Sequence, residues 1–361
     1  MRRRRFRLSA LLPALIIATL AVAGCGGDDS PATTPTVQAS ATATAPTVTV
    51  SATATVAATL GGPSTSLQLG GAVTTPGQYV LATLQGLPIR SVTTNPLAGG
   101  ARMGEHAYGG PLLYDMIQKA GLKTDSARKN DALRKVVVVT GTDGYVAAFA
   151  WGEIDSRFAS KQVLVAYQRD GQPLPEADGF ARTIVPGDEA AGRYVSNVNK
   201  IEVKDVGTLP PPGDRKSSTS FTLAGQVNNA GEFDLAKLQA MKQSEVTIDG
   251  KDAQGNPTKT VYRGVLLNDF LQTAGLKLDA AKKNDILRLG VLAIATDGYS
   301  SMVVGGEIDP KFANVPVLIA IARDGQPLSA DDGFARIVVP GDIAAGRFVS
   351  NLVRLEVVRL D

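Results

Sequence analysis

One long segment of the chain is written twice. Residues 67–207 recur as residues 221–361, a constant shift of 154 positions without a gap. About half of the paired positions are identical, which marks a tandem duplication. The motif Thr-Asp-Gly-Tyr, for example, stands at 142–145 and again at 296–299. Any fold must therefore serve both copies, and each copy, at about 140 residues, is long enough to bury its own core.

The N-terminus has the composition of an export signal. Five arginines precede an apolar stretch over 8–23 that is too short for a comfortable membrane span. Val-Ala-Gly-Cys at 22–25 resembles the lipobox of bacterial lipoproteins, in which the cysteine receives a diacylglyceryl group. We therefore expect residues 1–24 to be a lipoprotein signal peptide, Cys25 to be lipidated, and the protein to be anchored by lipid at the extracytoplasmic face of a bacterial cell membrane. An ordinary signal peptide is the alternative, and the arginines leave both the general and the twin-arginine route open.

Charge and rare residues exclude several classes of protein. Removal of residues 1–24 takes away five arginines and no acids, so that 37 Lys+Arg fall to 32 against 34 Asp+Glu. The mature chain has no basic excess for nucleic acid. Cys25 is the only cysteine and His106 the only histidine. Disulfides, thiolate metal sites, two-histidine metal sites and a duplicated Ser-His-Asp triad are therefore excluded from the repeats.

Composition also predicts the domain limits. Residues 25–62 carry the lipidated cysteine and a run of Thr, Ala, Ser and Pro that buries little and is expected to be a disordered tether. Repeat 1 follows at 63–206 and repeat 2 at 221–361. The segment 207–220 between them contains three consecutive prolines and is expected to be a short, stiff linker.

Each repeat shows the pattern of many strands and few helices. Apolar residues at helical spacing predict a helix over 112–120, which Gly121 ends. Asp170-Gly171 indicates a tight hairpin turn. Further strands are predicted at 66–73 (as an edge strand), 136–140, 146–150, 163–167, 183–185 and 194–203. The pattern favours an α+β, β-rich fold duplicated in tandem.

The order of motifs in each repeat resembles the molybdopterin-binding domain of sulfite-oxidase-type oxidoreductases. The motifs are Gly-x-Leu-Leu, Thr-Asp-Gly-Tyr, Leu-Val-Ala-Tyr (Leu-Ile-Ala-Ile in repeat 2), Asp-Gly-Gln-Pro-Leu, Arg-x-x-x-Pro-Gly-Asp, Gly-Arg-x-Val and a final Ile-Glu-Val (Leu-Glu-Val in repeat 2). The resemblance covers nearly all of each repeat and implies the sulfite-oxidase-like fold. It also implies a molybdenum cofactor held by one cysteine.

Three positions depart from that family. Where its metal-binding cysteine is expected, the copies have Ser-Val-Thr-Thr-Asn at 91–95 and Glu-Val-Thr-Ile-Asp at 245–249. Ser-Asn at 196–197 and 350–351 replaces a lysine that meets the cofactor in the family. Asp178, with its counterpart in the second copy, stands where the family often has histidine. Because hydroxyls and amides substitute poorly for a soft thiolate, we expect no metal and no cofactor, and molybdopterin is the alternative.

The remaining candidates for ligand binding are polar residues that occur in both copies. Two guanidinium groups beside a Pro-Gly turn can grip a carboxylate, sulfate or phosphate, or can instead pair with neighbouring aspartates and lock the turn. The candidates are Asp143, Tyr145, Arg182, Asp188, Arg193 and Asn197 in repeat 1, and Asp297, Tyr299, Arg336, Asp342, Arg347 and Asn351 in repeat 2.

Two further features are interpreted as structural. Glu153 and Asp155 would share a face if their segment were a strand, and we expect a solvated edge or an ion pair there rather than an acid–base pair. His106 lies in a glycine-rich stretch and is expected to be a solvated loop residue.

We expect, in sum, a tethered non-catalytic protein whose two degenerate repeats bind a small anionic ligand or a cell-envelope protein. Two similar sites on one chain would raise avidity for a multivalent partner. A molybdopterin-dependent oxidoreductase of the sulfite oxidase type is the alternative, and nucleic acid is not an expected partner.

Overall fold

The structure is a computed structural model that describes residues 61–207, 209–251 and 254–361. The predictions for the signal peptide, for Cys25 and for nearly all of the tether therefore lie outside the described residues. All the described residues belong to one compact unit. Among them, no helix is both long and apolar enough to cross a membrane.

Repeat 1 contains thirteen strands and three short α-helices within its described residues. In chain order they are β1 (Ser66–Gly71), β2 (Gly77–Val80), α1 (Leu81–Gln85), β3 (Arg90–Thr94), β4 (Leu97–Ala98), β5 (Ala101–Arg102), β6 (His106–Gly110), α2 (Leu113–Ala120), β7 (Lys135–Gly141), β8 (Val146–Ala150), α3 (Trp151–Ile154), β9 (Leu164–Ala166), β10 (Gln168–Arg169), β11 (Gln172–Pro173), β12 (Arg182–Ile184) and β13 (Val198–Asp205). Single 3₁₀ turns cover Asp131–Arg134, Glu176–Asp178 and Ala191–Arg193.

Two local predictions for repeat 1 match the structure closely. Helix α2 buries its apolar positions Leu113, Met116 and Ile117, and it ends at Gly121, whose φ of 76° suits a residue without a Cβ. Asp170 and Gly171 both have positive φ, 54° and 73°, between the paired strands β10 and β11. This is the backbone that a two-residue type I′ hairpin turn requires.

The first sheet of repeat 1 has the strand order β2-β1-β13-β7-β8. Strand β1 is parallel to β13, with Leu69 opposite Ile201, and the other neighbours are antiparallel. The prediction of an edge strand at 66–73 was therefore wrong: β1 lies inside the sheet, and β2 covers it. Strand β13 starts at Val198 rather than 194, because a 3₁₀ turn and the left-handed Asn197 (φ 52°) precede it.

Repeat 2 repeats this layout with fewer interruptions. Its elements are β14 (Ser220–Gly225), β15 (Gly231–Asp234), α4 (Leu235–Gln239), β16 (Ser244–Lys251), β17 (Pro257–Leu266), α5 (Leu267–Ala274), β18 (Leu289–Ala295), β19 (Ser300–Val304), α6 (Gly305–Ile308), β20 (Leu318–Arg323), β21 (Gln326–Pro327), β22 (Arg336–Val338) and β23 (Leu352–Arg359). Its first sheet has the equivalent order β15-β14-β23-β18-β19. In the second sheet, β16-β17-β20-β21 form one path, and β22 pairs with β20.

The two first sheets pack against each other through the faces that do not serve their own domain cores. In β7, Val137 and Val139 face the core of repeat 1, whereas Val136 and Val138 belong to a separate apolar cluster. The same cluster contains Leu292 and other residues of β18 and β19. Both faces of β7 and β18 are thus buried, and this explains why these strands read as continuous apolar runs.

Small residues allow the repeats to approach closely. A Cβ placed on Gly192 would lie 2.2 Å from a ring atom of Phe312, and a Cβ on Gly346 would lie 2.3 Å from a ring atom of Phe158. The two pairs are equivalent under the 154-residue shift. The contact is therefore isologous, as in a two-fold dimer, although both halves belong to one chain.

Candidate functional site

The Asp-Gly-Tyr turn of each repeat lies at the boundary with the other repeat. The Tyr145 hydroxyl donates to the carbonyl of Gly192, 2.6 Å away, and accepts from the Asn284 side chain of repeat 2 at 2.8 Å. The Tyr299 hydroxyl likewise donates within its own repeat and accepts from Asn130 of repeat 1 at 3.0 Å. Burial raises the pKa of Tyr145. Each predicted tyrosine is thus part of the contact between the repeats.

The aspartates of these turns shape the backbone. The Asp143 carboxylate accepts from the backbone N–H of Tyr145 at 2.9 Å, and Asp297 accepts from Tyr299 at 3.0 Å. These are Asx turns, in which a side chain replaces a backbone acceptor. Asp297 additionally lies 3.6 Å from the Arg215 guanidinium of the segment between the repeats.

The late arginine of repeat 1 is buried in a cluster of carboxylates. Arg193 is fully buried, and its Nε and Nη2 donate to the two oxygens of Asp188, both at 2.7 Å. Its Nη1 donates to Glu153 at 2.6 Å. Lys161 approaches Asp188 to 3.0 Å. Of the two alternatives for this arginine, the structure has the pairing with a neighbouring aspartate, and the guanidinium is already saturated by two carboxylates.

Repeat 2 contains the equivalent cluster without the lysine. Arg347 is fully buried, bonds both oxygens of Asp342, and donates its Nη1 to Glu307. Val315 stands where repeat 1 has Lys161. Arg347 therefore also follows the pairing alternative, and it has no free face for an anion.

The two clusters meet across the boundary between the repeats. A Cβ on Gly152 would lie 2.3 Å from Arg347 Cδ, and a Cβ on Gly306 would lie 2.6 Å from Arg193 Cδ. Each arginine therefore packs on the residue that precedes the other repeat's glutamate. Glu153 and Glu307 each keep one buried carboxyl oxygen that has no hydrogen-bond partner among the described residues.

Burial and charge shift the pKa values of this cluster. Burial raises the pKa of Glu153, Arg193 opposes that rise, and the facing Glu307 adds to it. Burial also raises the pKa of Asp342, against the opposing effect of Arg347. For Arg193, burial lowers the pKa, but the neighbouring carboxylates outweigh burial and raise it overall. Such shifts accompany active sites and structural ion networks alike.

The earlier arginine of each repeat pairs locally. Arg182 donates to Asp178 at 2.7 Å and stacks over the Tyr194 ring, 5.8 Å from its centroid. Arg336 pairs with Asp332 in the same way, and its guanidinium lies 5.6 Å from the centroid of the Phe348 ring. The two-arginine grip therefore does not form, because in each repeat the two guanidinium groups serve different carboxylates.

The asparagines hold the chain that enters each repeat. Asn197 accepts from the backbone N–H of Ser64 at 3.1 Å and donates to the carbonyl of Ala177 at 2.9 Å. Asn351 makes the equivalent bonds to Ser218 and Asp331, at 3.2 and 2.7 Å. Both side-chain ends are thus engaged with backbone, and the predicted role in ligand binding is corrected to a structural one.

Two interpretations outside the main candidates also change. Glu153 and Asp155 do not share a strand face: Glu153 lies in α3, and Asp155 follows that helix, where it binds Arg157 and the Trp151 indole at 2.8 Å. Both carboxylates are buried ion-pair members, so the expected ion pair is confirmed and the solvated-edge alternative is not. His106 begins β6, and its Nδ1 lies 2.7 Å from an Asp170 carboxylate oxygen, so it is not a free loop residue.

Two clefts open beside the boundary, one at each Asp-Gly-Tyr turn. The larger, of about 710 Å³, includes Asp297, Tyr299 and Arg336 of repeat 2 together with residues of repeat 1. The smaller, of about 610 Å³, includes Asp143 and Tyr145 of repeat 1 together with residues of repeat 2. Of the predicted ligand-binding residues, these five lie on a cleft.

The sequence reasoning missed the partners that cross between the repeats. These are Asn130 with Asn284, Glu153 with Glu307, Gly152 with Gly306, and Phe158 with Phe312. Each pair is identical under the 154-residue shift. Identity at equivalent positions of the two repeats was the signal that could have found them.

The described residues form a pair of β-rich α+β domains that share one two-fold boundary. The model of the family described as the oxidoreductase molybdopterin-binding domain matches the chain twice, over residues 63–209 and 207–361. The chain therefore belongs to this family. The prediction of a duplicated sulfite-oxidase-like fold of α+β, β-rich class is confirmed.

One similar solved structure is the sulfane dehydrogenase SoxCD from Paracoccus pantotrophus. It is 14% identical, with a TM-score of 0.32, and the match covers 66% of this chain. The match spans 58% of the length of that protein chain. No curated protein sequence matches the chain significantly.

The family implies a molybdopterin cofactor, which the donor groups of these repeats do not fit. Cys25 precedes both domains, so neither domain supplies a thiolate. Arg193 and Arg347 each carry two carboxylate partners and cannot also neutralise an anionic cofactor. Within the described residues, no group of three or more His, Cys, Asp or Glu side chains is arranged to hold a metal ion.

Proposed function

We propose that this protein is a non-catalytic binding protein, which uses two molybdopterin-binding-type domains as a scaffold and is held by lipid on the extracytoplasmic face of the membrane. One fold hosts different functions according to the groups in its sites, so the family fold does not by itself make this protein an enzyme. The two repeats act as one unit, because residues of both line each cleft.

The main support for this proposal is that Arg193 and Arg347 are already bound to carboxylates. Arg193 and Arg347 are fully buried and bond two carboxylates each. A buried arginine withdrawn from its carboxylates leaves uncompensated charge, at a cost of about 3–5 kcal/mol. The arginines are therefore held in the boundary between the repeats, where they stabilise the scaffold, and both domains also lack a thiol.

Membrane attachment is supported by the sequence around Cys25. The small residues before it and the apolar stretch over 8–23 suit lipoprotein processing. We expect Cys25→Ser to release the protein from the membrane fraction. Mass spectrometry of the wild-type N-terminal peptide should show an acylated cysteine. An unmodified Cys25 in membrane-bound protein would contradict this part of the proposal.

Metal and pterin analysis tests the non-catalytic role. The full chain, purified from its native host, should contain molybdenum and tungsten far below one atom per chain and no extractable molybdopterin. A cysteine-containing member of the family, prepared from the same cells, serves as the control that cofactor is available. One metal atom per chain would overturn the proposal.

Family membership favours one competing function, a molybdopterin-dependent oxidoreductase. That function requires a metal held without a thiolate from either domain. The same analysis decides between the two, because only the enzyme predicts a stoichiometric metal.

A further inference from the structure

The larger cleft combines parts of the chain that come together only in the tandem arrangement. Repeat 1 contributes the loop that contains Arg128 and Lys129, and also Arg157 after α3. The segment between the repeats contributes Arg215, and repeat 2 contributes Arg336. The cleft volume, about 710 Å³, falls in the range of small-molecule sites.

The lining of the larger cleft is rich in cations. It contains five cationic side chains and two carboxylates, Asp131 and Asp297. Four of the cations also have acidic neighbours: Arg157 binds Asp155, Arg336 binds Asp332, and Arg128 and Arg215 each lie 3.6 Å from an aspartate. Lys129 is exposed. Converging guanidinium and ammonium groups are the usual recognition elements for phosphate and carboxylate groups.

Two guanidinium nitrogens in this cleft remain unsatisfied. Arg128 Nη1 and Arg336 Nε are buried and lack a hydrogen-bond partner among the described residues. Arg128 Nη2 donates to the carbonyl of Pro210 at 2.9 Å, so the side chain is held in place by the segment between the repeats. A buried donor without an acceptor costs about 1–3 kcal/mol.

The smaller cleft provides an internal comparison. Its lining contains only two cations, Lys283 and Lys311, beside Asp143 and Glu189. Glu189 is itself bound by Arg102 at 2.7 Å. Lys283 is the counterpart of Lys129 under the 154-residue shift, and both are exposed. The concentration of cations is thus a property of one cleft and not of the fold.

We propose that the larger cleft binds a small polyanion, a molecule with two or more phosphate or carboxylate groups. This inference rests on the proposed binding function and names its ligand class. The ligand bridges the Arg128–Lys129 loop of repeat 1 and Arg215 of the segment between the repeats. The smaller cleft does not share this preference.

Titration calorimetry on the full chain in detergent, at low salt, tests the proposal with pyrophosphate and citrate as probes. We expect at least one of them to bind with one site per chain and to weaken as salt rises. The two probes distinguish phosphate from carboxylate recognition. Lys129→Glu and Arg215→Glu, both on exposed side chains, should each weaken binding about tenfold or more, equal to about 1.4 kcal/mol.

Lys283→Glu is the matched control, because it makes the same charge reversal in the smaller cleft. It should change the affinity less than twofold. Absence of binding by both probes would overturn the polyanion site, and so would an equal loss in Lys283→Glu. Neither result affects the metal analysis, so a failed ligand assignment is distinguishable from a failed non-catalytic role.

Discussion

Glu153 is the group through which the buried boundary should respond to pH. The cluster around it has four carboxylates and three cations, namely Glu153, Asp188, Glu307 and Asp342 with Lys161, Arg193 and Arg347. One negative charge is therefore in excess, and Glu153 itself is buried. Burial raises the pKa of Glu153 above its ordinary 4.5, and Glu307 reinforces the shift. We predict that Glu153→Gln removes a pH-dependent loss of stability.

The sign and slope follow from proton linkage. Between pH 4.5, where the unfolded glutamate titrates, and the higher pKa of the native state, the native protein holds the extra proton. The free energy of unfolding therefore falls as pH rises through this window, by about 1.4 kcal/mol per pH unit for one proton. Below the window the stabilisation is fully present, and above it the curve is flat. Glutamine does not titrate, so the variant should lack this decline.

Urea unfolding of the full chain between pH 5 and 8, followed by circular dichroism, measures the effect. The stability of Glu153→Gln relative to wild type should rise with pH at about 1.4 kcal/mol per unit until the native pKa is passed. Glu202→Gln is the control, because Lys200 and Lys204 outweigh partial burial and lower the pKa of Glu202. The difference in free energy of unfolding between Glu202→Gln and wild type should stay constant between pH 5 and 8. Parallel curves for Glu153→Gln and wild type would refute the reasoning.

Three other substitutions test the boundary. Arg347→Met should lower the free energy of unfolding in urea by about 3–5 kcal/mol, because it strands two buried carboxylates, and a loss below 1 kcal/mol would contradict the buried network. Gly152→Ala should lower the free energy of unfolding by about 1–3 kcal/mol in the same assay, because the new Cβ would lie 2.3 Å from Arg347 Cδ. Gly144→Ala is the comparison: its Cβ would meet no neighbour within 4 Å, so only the positive φ of its backbone opposes it. Ala148→Asp buries a charge between the sheets and should speed amide exchange in β7 and β18, and unchanged exchange would argue against this packing.

Local features were predictable because their physical causes are local. Helix α2 and its glycine stop follow from apolar spacing over eight residues, and the Asp170-Gly171 turn follows from two residues that tolerate positive φ. The tandem β-rich class followed from the order of motifs. Strand β13 began later than predicted because a left-handed asparagine, which propensity does not reveal, interrupts the pattern.

The site was less predictable because its partners are distant along the chain. Arg193 pairs with Asp188, which is five residues earlier and so falls among the neighbouring aspartates, but its other partner Glu153 is 40 residues away. Its packing on Gly306 depends on the second repeat. A sequence motif shows that an arginine is present. Which groups its guanidinium binds depends on residues that the fold packs against it from distant parts of the chain. These two arginines therefore do not grip an anion. The alternative, pairing with neighbouring aspartates, described only part of their environment, because each also binds a distant glutamate.

The isologous boundary within a single chain limits how the gene can change. Unequal recombination between two similar halves yields chains with one copy or with three. A single copy would carry the apolar face of β7 uncovered and would need a second molecule to bury it. A three-copy chain would leave one such face uncovered and would likewise need a second molecule. Only an even number of copies buries every such face within one chain, whatever the protein binds.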